Sequence, residues 1–183
     1  MILLGLGGNL PHMKFRTPRD TLEAALGELA ARGARATGRS RWYFTAPVPD
    51  VGQPWFTNAV AALETNHGPE GLLALLLEVE AKFGRTRGVR NASRTIDLDL
   101  LAYHDHINRG SAAFADPEVP HPRLHERAFV LLPLADIAPS WRHPVLGQSV
   151  PELIAALPRE QVAGVRLAEG QSGAQVAGEP PIQ

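Results

Sequence analysis

The sequence contains no cysteine and almost no lysine, and the lack of cysteine excludes several kinds of chemistry. Without cysteine among its 183 residues, the chain forms no disulfides, thiolate metal sites or thiol nucleophiles. The only lysines are Lys14 and Lys82, so its basic residues are nearly all arginine. No apolar run is long enough to span a bilayer. We therefore expect a cytoplasmic protein that does not bind membranes.

Positive and negative charges are nearly balanced, and the formal net charge is -1. A nucleic-acid binder that relies on electrostatics would carry a basic surplus, so we expect no nucleic-acid partner. A chain with 44% hydrophobic residues can build one sizeable core. The last residues are small, polar and rich in glycine and proline. We predict a single domain over residues 1–165, a flexible tail over 166–183, and a monomer.

Hydrophobic periodicity predicts the element order β-α-β-β-α-β. The predicted strands and helices are MILLGLG, a helix from Thr17-Pro18 to about Ala31, ARATGRSRWYFT, TNAVAALET, PEGLLALLLEVEAKFG, and a strand from Thr95 to Tyr103. This order is typical of the α+β ferredoxin-like sandwich, in which both helices cover one face of an antiparallel sheet. The other face would be open for a ligand. An extra C-terminal helix is predicted in LHERAFVLLPLADIAP.

Two acidic residues stand out in the apolar strand RTIDLDLLAY. Asp97 and Asp99 share one face of a strand, roughly 6–7 Å apart. Such carboxylates repel each other unless a cation or water lies between them. They are either a solvent-facing pair or oxygen ligands for Mg²⁺. Because strands are depleted in aspartate and this one is otherwise apolar, we favour the metal site.

Four arginines lie in the segment that leads into this strand: Arg85, Arg87, Arg90 and Arg94. They either form an ordinary solvated loop or bind phosphate oxygens with their guanidinium groups. Arginines beside a carboxylate pair supply what phosphoryl transfer needs, since its catalysis is mostly positioning and charge neutralisation. We therefore favour a phosphate site.

Two other segments carry candidate binding residues. Trp55, Phe56 and Asn58 either form a slot for a flat heteroaromatic ligand or pack in the core. His121 lies between two prolines and is either a phosphate donor or an ordinary loop histidine.

The helix that follows His121 begins with two further candidates. Arg127 can meet an anion there, and Phe129 can simply be a core residue.

Taken together, these segments resemble the hydroxymethyl-dihydropterin pyrophosphokinase family of folate biosynthesis. The resemblance covers about Ile2 to Pro139 and rests on LGLGGNL, YFTAPV, QPWFTNAVAALET, SRTIDLDLL and VPHPRLHERAFVLLPLADIAP. It implies transfer of the terminal diphosphate of ATP to the hydroxymethyl group of a dihydropterin, with release of AMP. The family's Gly-Pro before the arginine is replaced here by Ala92-Ser93.

The resemblance also implies roles for individual residues. Asp97 and Asp99 would bind two Mg²⁺ ions that bridge the phosphates of ATP, the co-substrate, and Arg85 and Arg94 would complete the catalytic set. The implied nucleotide-binding residues are Glu80, Arg85, Arg87, Arg94, His121 and Arg127. The implied pterin-binding residues are Thr45, Val48, Phe56, Asn58 and Phe129. The loops Ala46 to Trp55 and Gly84 to Ser93 would close over both ligands.

Two other functions remain open at this point. A two-metal nucleotidyltransferase also places an aspartate pair on such a sheet, but it needs a third carboxylate, for which Glu64 is the only obvious candidate. An RNA-binding module on the same fold needs exposed aromatic residues and a basic surface. With 6% aromatic residues and with Asp97 and Asp99 on the strand face, the sequence favours it least.

Overall fold

The computed structural model describes residues 1–47, 52–85, 93–109 and 116–168. The strands there are β1 (Ile2–Gly8), β2 (Ala34–Arg39), β3 (Tyr43–Thr45), β4 (Phe56–Thr65), β5 (Asp97–Tyr103), β6 (Asn108–Arg109), β7 (Glu118–Val119) and β8 (Val165–Leu167). The α-helices there are α1 (Pro18–Ala31), α2 (Pro69–Lys82), α3 (Ala128–Ile137), α4 (Val150–Ala156) and α5 (Arg159–Ala163). None of the helices in these ranges is both long and apolar enough to span a membrane.

Local sequence signals explain where the first two helices begin and end. Thr17 accepts a hydrogen bond from the backbone N–H of Asp20 at 3.1 Å, and the Asp20 carboxylate accepts one from the Thr17 N–H at 3.1 Å. This reciprocal cap starts α1 at Pro18. Gly84 follows α2 with φ of 77°, a conformation that favours glycine. Both predicted helices are confirmed.

The main sheet is antiparallel, with strand order β5-β1-β4-β3-β8, and β2 pairs with the far half of β4. One face packs against α1 and α2 in a core that includes Leu6, Leu22, Leu76, Val79 and Leu98. Burial of this apolar surface is the main force that holds both helices on the sheet. The predicted ferredoxin-like α+β arrangement is confirmed.

The second face of the sheet is covered at one end only. There α3 packs on β4 and β5 through a second core that includes Leu3, Val60, Leu101, Leu131 and Leu134. Helix α4 packs against α3 through Val150 and Leu153. The opposite end, around Gly5 and Gly7 of β1, opens into a cleft. The face is therefore open beside Asp97 and Asp99 rather than along its whole length.

Two predicted elements are interrupted in the structure. The segment ARATGRSRWYFT forms two strands, since Arg39 pairs with Ala61 and Tyr43 with Asn58, which sets three residues opposite two. At this break the Ser40 N–H donates to the Val60 carbonyl at 2.9 Å and its Oγ accepts from the Val60 N–H at 3.0 Å. The predicted third helix is divided into a 3-10 turn, Leu124–Glu126, and α3. Arg127 separates them with φ -119° and ψ 108°, which is extended backbone.

The structure also contains elements that the sequence pattern did not reveal. β6 pairs with β7, and α4, α5 and β8 follow α3. The predicted domain boundary after residue 165 falls inside β8, whose residues pair with β3. Residues 169–183 of the predicted tail lie outside the described residues. The strand predicted from Thr95 begins two residues later, at Asp97.

Candidate active site

The cleft on the open end of the sheet is built around the central strand β1. Gly7 pairs with Asn58 of β4 on one side and with Asp97 of β5 on the other, and Gly5 pairs with Asp99. The volume of the cleft is about 290 Å³, including its open mouth. The lining residues are Gly5, Leu6, Gly7, Asn58, Ala59, Asp97, Asp99, Leu101, Phe129 and Val130.

Glycines keep the floor of this cleft low. A Cβ atom on Gly7 would lie 3.2 Å from Asn58 Oδ1 and 3.6 Å from Asp97 Cβ, so any side chain there would fill the gap between them. A Cβ on Gly5, on the same face, would lie 3.4 Å from the side chain of Leu101. Gly5 and Gly7 were not among the site residues predicted from the sequence. Their spacing of two within a strand was the available signal, since it places both on one face.

Two arginines hold the carboxylate of Asp97. Arg85 Nη1 donates to Asp97 Oδ1 and to Glu80 Oε1, and Arg94 Nη1 donates to Asp97 Oδ2 at 2.8 Å. Burial alone would lower the pKa of Arg85, but the charges of Asp97 and Glu80 outweigh it and raise that pKa. The Arg85 guanidinium therefore stays charged beside Asp97, where an anion can replace part of the carboxylate contact.

Glu80 ties helix α2 to the strand between the two aspartates. Glu80 is 4% exposed, and its Oε1 accepts a hydrogen bond from the backbone N–H of Leu98 at 2.7 Å. Burial raises the pKa of Glu80 to about 7, even though the Leu98 N–H and Arg85 favour the charged form. Glu80 thus orients Arg85 and fixes the position of β5 from beneath.

Asp99 is the second carboxylate of the cleft, and its side chain is 37% exposed. Burial and the charge of Asp97 raise its pKa to about 6, while Arg127, 3.5 Å away, acts in the opposite direction. The repulsion from Asp97 is the part of this shift that a cation bound between the two carboxylates would relieve.

The donor set fits a magnesium ion. Within the described ranges, no group of three or more histidine or acidic residues is close enough to hold a metal ion. Asp97 and Asp99 line the cleft as two hard oxygen donors. Mg²⁺ is commonly bound by one or two carboxylates, with waters and substrate phosphates completing its shell. The two aspartates therefore match that ion only when a phosphate ligand is also bound.

His121 lies beside β5, and its backbone N–H donates to the Leu101 carbonyl at 2.8 Å. Burial, and then the charge of Arg127, lower its pKa to about 4. Its Nδ1 accepts a hydrogen bond from the Arg123 N–H at 3.1 Å. The neutral ring therefore carries its proton on Nε2, which makes Nε2 a hydrogen-bond donor.

The other side of the cleft offers an amide and an aromatic ring. Asn58 is 5% exposed and donates from Nδ2 to Thr45 Oγ1 at 2.9 Å. This bond directs Oδ1 toward Gly7. Phe129 lines the same cleft, and the Arg127 guanidinium lies 5.6 Å from its ring centroid. This combination can bind a flat ring that presents N–H groups along one edge.

Most of the residues singled out from the sequence converge here. Asp97, Asp99, Asn58 and Phe129 line the cleft, and their direct partners are Thr45, Arg85, Arg94 and Arg127. Glu80 is one contact further away, since it binds Arg85. Phe56 starts β4, two residues from Asn58 and on the same face of the strand, outside the lining of the cleft. Val48, Arg87 and Arg90 lie outside the described residues.

Comparisons with known proteins agree on one family. A family model described as 7,8-dihydro-6-hydroxymethylpterin-pyrophosphokinase (HPPK) matches residues 3–139. A 2-amino-4-hydroxy-6-hydroxymethyldihydropteridine pyrophosphokinase of Pseudomonas aeruginosa is 38% identical over 162 residues, covering 88% of this chain and 94% of that protein. A protein of the same name from Methylorubrum extorquens is 41% identical over 157 residues, covering 84% and 91%.

Solved structures share the fold. Crystal structures of Plasmodium falciparum HPPK-DHPS, wild type with pteroate and wild type with SDX-DHP, match with a TM-score of 0.63 at 15% and 14% identity. Each match covers 84% of this chain and 43% of the other, so the chain spans about two fifths of those solved chains.

Proposed function

Because this chain belongs to the 7,8-dihydro-6-hydroxymethylpterin-pyrophosphokinase family, we propose that the cleft above β1 is the site where it acts. The enzyme transfers the terminal diphosphate of ATP to the hydroxymethyl group of 6-hydroxymethyl-7,8-dihydropterin and releases AMP, a reaction of folate biosynthesis. The proposal concerns which residues of this chain perform that reaction.

The carboxylates of Asp97 and Asp99 would hold two Mg²⁺ ions. When bound, magnesium neutralises the charge of the phosphates and positions them. The support comes from the two oxygen donors that line one face of the cleft and from the raised pKa of Asp99.

The cationic residues would bind the triphosphate. Arg85 and Arg94 share the oxygens of Asp97, so a phosphate that enters beside this carboxylate meets two guanidinium groups already in place. Arg127 adds a third on the Asp99 side, and His121 can donate from Nε2. Positioned charges of this kind stabilise phosphoryl transfer without reorganising during the reaction.

The amide of Asn58 would read the edge of the pterin. With Nδ2 donated to Thr45, Oδ1 is the atom that can accept from an N–H of the ring. Phe129 would stack on one ring face, and Phe56, on the same face of β4, would approach the other.

One observation carries the proposal: Asn58 and Asp97 flank Gly7 on a single sheet face. A pterin held at Asn58 would extend its hydroxymethyl group over Gly7 toward the phosphates held at Asp97. The glycine leaves room for that group.

Product analysis by phosphorus NMR tests the assignment. We expect AMP and a pterin diphosphate in equal amounts, formed only when ATP, Mg²⁺ and 6-hydroxymethyl-7,8-dihydropterin are all present. Omission of the pterin is the matched control and should leave ATP intact. ADP as the product, or free inorganic diphosphate as a nucleotidyltransferase would release, would contradict the proposed reaction.

A further inference from the structure

Asn9 is buried where β1 ends, between the segments that lead into β4 and β5. The residue is 2% exposed, and its Nδ2 donates to the Pro54 carbonyl at 3.0 Å and to Ser93 Oγ at 3.2 Å. Pro54 lies two residues before Phe56, and Ser93 lies four residues before Asp97. One amide nitrogen therefore joins the approaches to both outer strands of the cleft.

The other end of the same side chain binds Arg94. Asn9 Oδ1 accepts from the Arg94 N–H at 2.8 Å, and the Asn9 N–H donates to the Arg94 carbonyl at 2.9 Å. Both backbone groups of Arg94 are thus bonded to Asn9. Arg94 in turn donates to Asp97 Oδ2. Asn9 is therefore linked through a single residue, Arg94, to the carboxylate on the proposed metal-binding side of the cleft.

Only a carboxamide satisfies all of these partners at once. It presents two donor hydrogens on nitrogen and an acceptor on oxygen, whereas a carboxylate would place an oxygen against the Pro54 carbonyl. A buried amide with several specific partners can stabilise the fold alone. Here, however, its partners are the segments that carry the pterin-side and phosphate-side residues, so it also sets the distance between them.

We propose that Asn9 is a positioning residue of the pyrophosphoryl transfer, which sets the spacing between the pterin-binding start of β4 and the phosphate-binding start of β5. The inference rests on the proposed function, because it assigns those two ends to the two substrates. Each substrate would still bind to its own half when Asn9 is changed. The alignment of the hydroxymethyl oxygen with the phosphate would be lost, and small misplacements of reacting atoms lower rates steeply.

Asn9→Ala and Ser40→Ala form a matched pair of variants. Ser40 is also 2% exposed and bonds both backbone groups of Val60 in the same sheet, but it lies outside the cleft. We expect both variants to lower the midpoint of urea unfolding. Only Asn9→Ala should lower kcat, by about 10- to 100-fold, with each KM changed by less than about threefold. Ser40→Ala should keep the wild-type kcat per folded molecule.

Asn9→Asp distinguishes the acceptor end of the side chain from its donor end. It is the variant to measure if Asn9→Ala does not fold. It keeps an acceptor for the Arg94 N–H and removes the donors to Pro54 and Ser93. We expect its kcat to fall at least as far as that of Asn9→Ala, because the carboxylate loses both donors and sets an oxygen against the Pro54 carbonyl.

The outcomes separate the two ideas. Folded Asn9 variants whose kcat equals that of Ser40→Ala would overturn the positioning role, and so would a raised KM with an unchanged kcat. A wild-type protein that makes no AMP would instead overturn the proposed function.

Discussion

Asn58 and Asp97 face each other across Gly7, each as its register partner on a neighbouring strand. Two interstrand spacings separate their backbones, a distance of about 10 Å. Because Gly7 has no side chain, the space between the amide and the carboxylate belongs to the cleft. The sheet thus brings an amide and a carboxylate to the two sides of one gap.

Replacing Gly7 should test whether that gap is used. In Gly7→Ala the new Cβ would lie 3.2 Å from Asn58 Oδ1, so the amide must shift by a few tenths of an ångström. We expect kcat/KM for the pterin to fall by about tenfold or more, because the methyl group occupies the path of the hydroxymethyl group. Steady-state assays of AMP formation measure it.

The control for this variant is Gly38→Ala, a strand glycine whose added Cβ would meet nothing within 4 Å. It should keep wild-type kinetics. Equal kinetics in the Gly7 and Gly38 variants would show that the pterin does not cross Gly7.

Asp136 should stabilise the protein in a pH-dependent way. Its carboxylate accepts from Arg41 Nη2 at 2.6 Å and from the Tyr43 hydroxyl at 3.0 Å. Partial burial opposes ionisation, but these hydrogen bonds outweigh it and hold the pKa of Asp136 below its ordinary value. This stabilisation is therefore complete above the unfolded-state pKa of about 4 and is lost as the pH falls through the lower folded-state pKa.

We expect Asp136→Asn to lower the free energy of unfolding by about 1 kcal/mol at pH 7. The difference from the wild type should shrink below about pH 4. Urea titrations at several pH values measure it, with exposed Asp105→Asn as the control. A difference that stays constant down to strongly acidic pH would argue against the ion pair as its source.

His143 should make the fold sensitive to mild acid. It is 4% exposed, and Nδ1 accepts from the N–H groups of Val145 at 3.2 Å and Leu146 at 3.3 Å. Burial and the nearby His125 lower the pKa of His143. Protonation of Nδ1 would place its new N–H against the N–H groups of Val145 and Leu146. Because the unfolded chain binds this proton more readily, stability should decline as the pH falls below about 6.5.

The variant His143→Asn supplies an acceptor that does not titrate in this range. We expect its thermal unfolding midpoint to change less than that of the wild type between pH 7 and pH 5. His104→Asn, at an exposed position, should keep the wild-type slope. Identical slopes in the wild type and His143→Asn would exclude His143 as the group responsible.

Local signals were sufficient to predict the parts of the fold that depend on nearby residues. Thr17 with Asp20 set the start of α1, and Gly84 set the end of α2. The pairing of Asp97 with Asp99 on one face follows from strand geometry alone. The break at Ser40 could not be predicted, because it depends on the register with β4, whose Val60 lies 20 residues away.

The same distinction applies to the site. Residue types that bind phosphate and metal were visible in the sequence, and the structure gathers them around one cleft. The spacing of Gly5 and Gly7 placed both on one face, but the neighbours of Gly7 and the partners of Asn9 were not visible, because they depend on which strands lie beside β1 and on segments 45 and 85 residues away. The strand order decides such contacts, and the local pattern of β1 does not contain it.

The most direct measurement is the affinity of Mn²⁺, used as an EPR-visible substitute for Mg²⁺, for the protein with a non-hydrolysable ATP analogue. The comparison needs the wild type, Asp97→Asn, Asp99→Asn and the exposed control Asp105→Asn. We expect each of the first two substitutions to weaken Mn²⁺ binding about tenfold or more, since each removes a charged ligand. Asp105→Asn should match the wild type. Unchanged Mn²⁺ affinity in both Asp97→Asn and Asp99→Asn would contradict the assignment of this sheet face as the metal-binding active site.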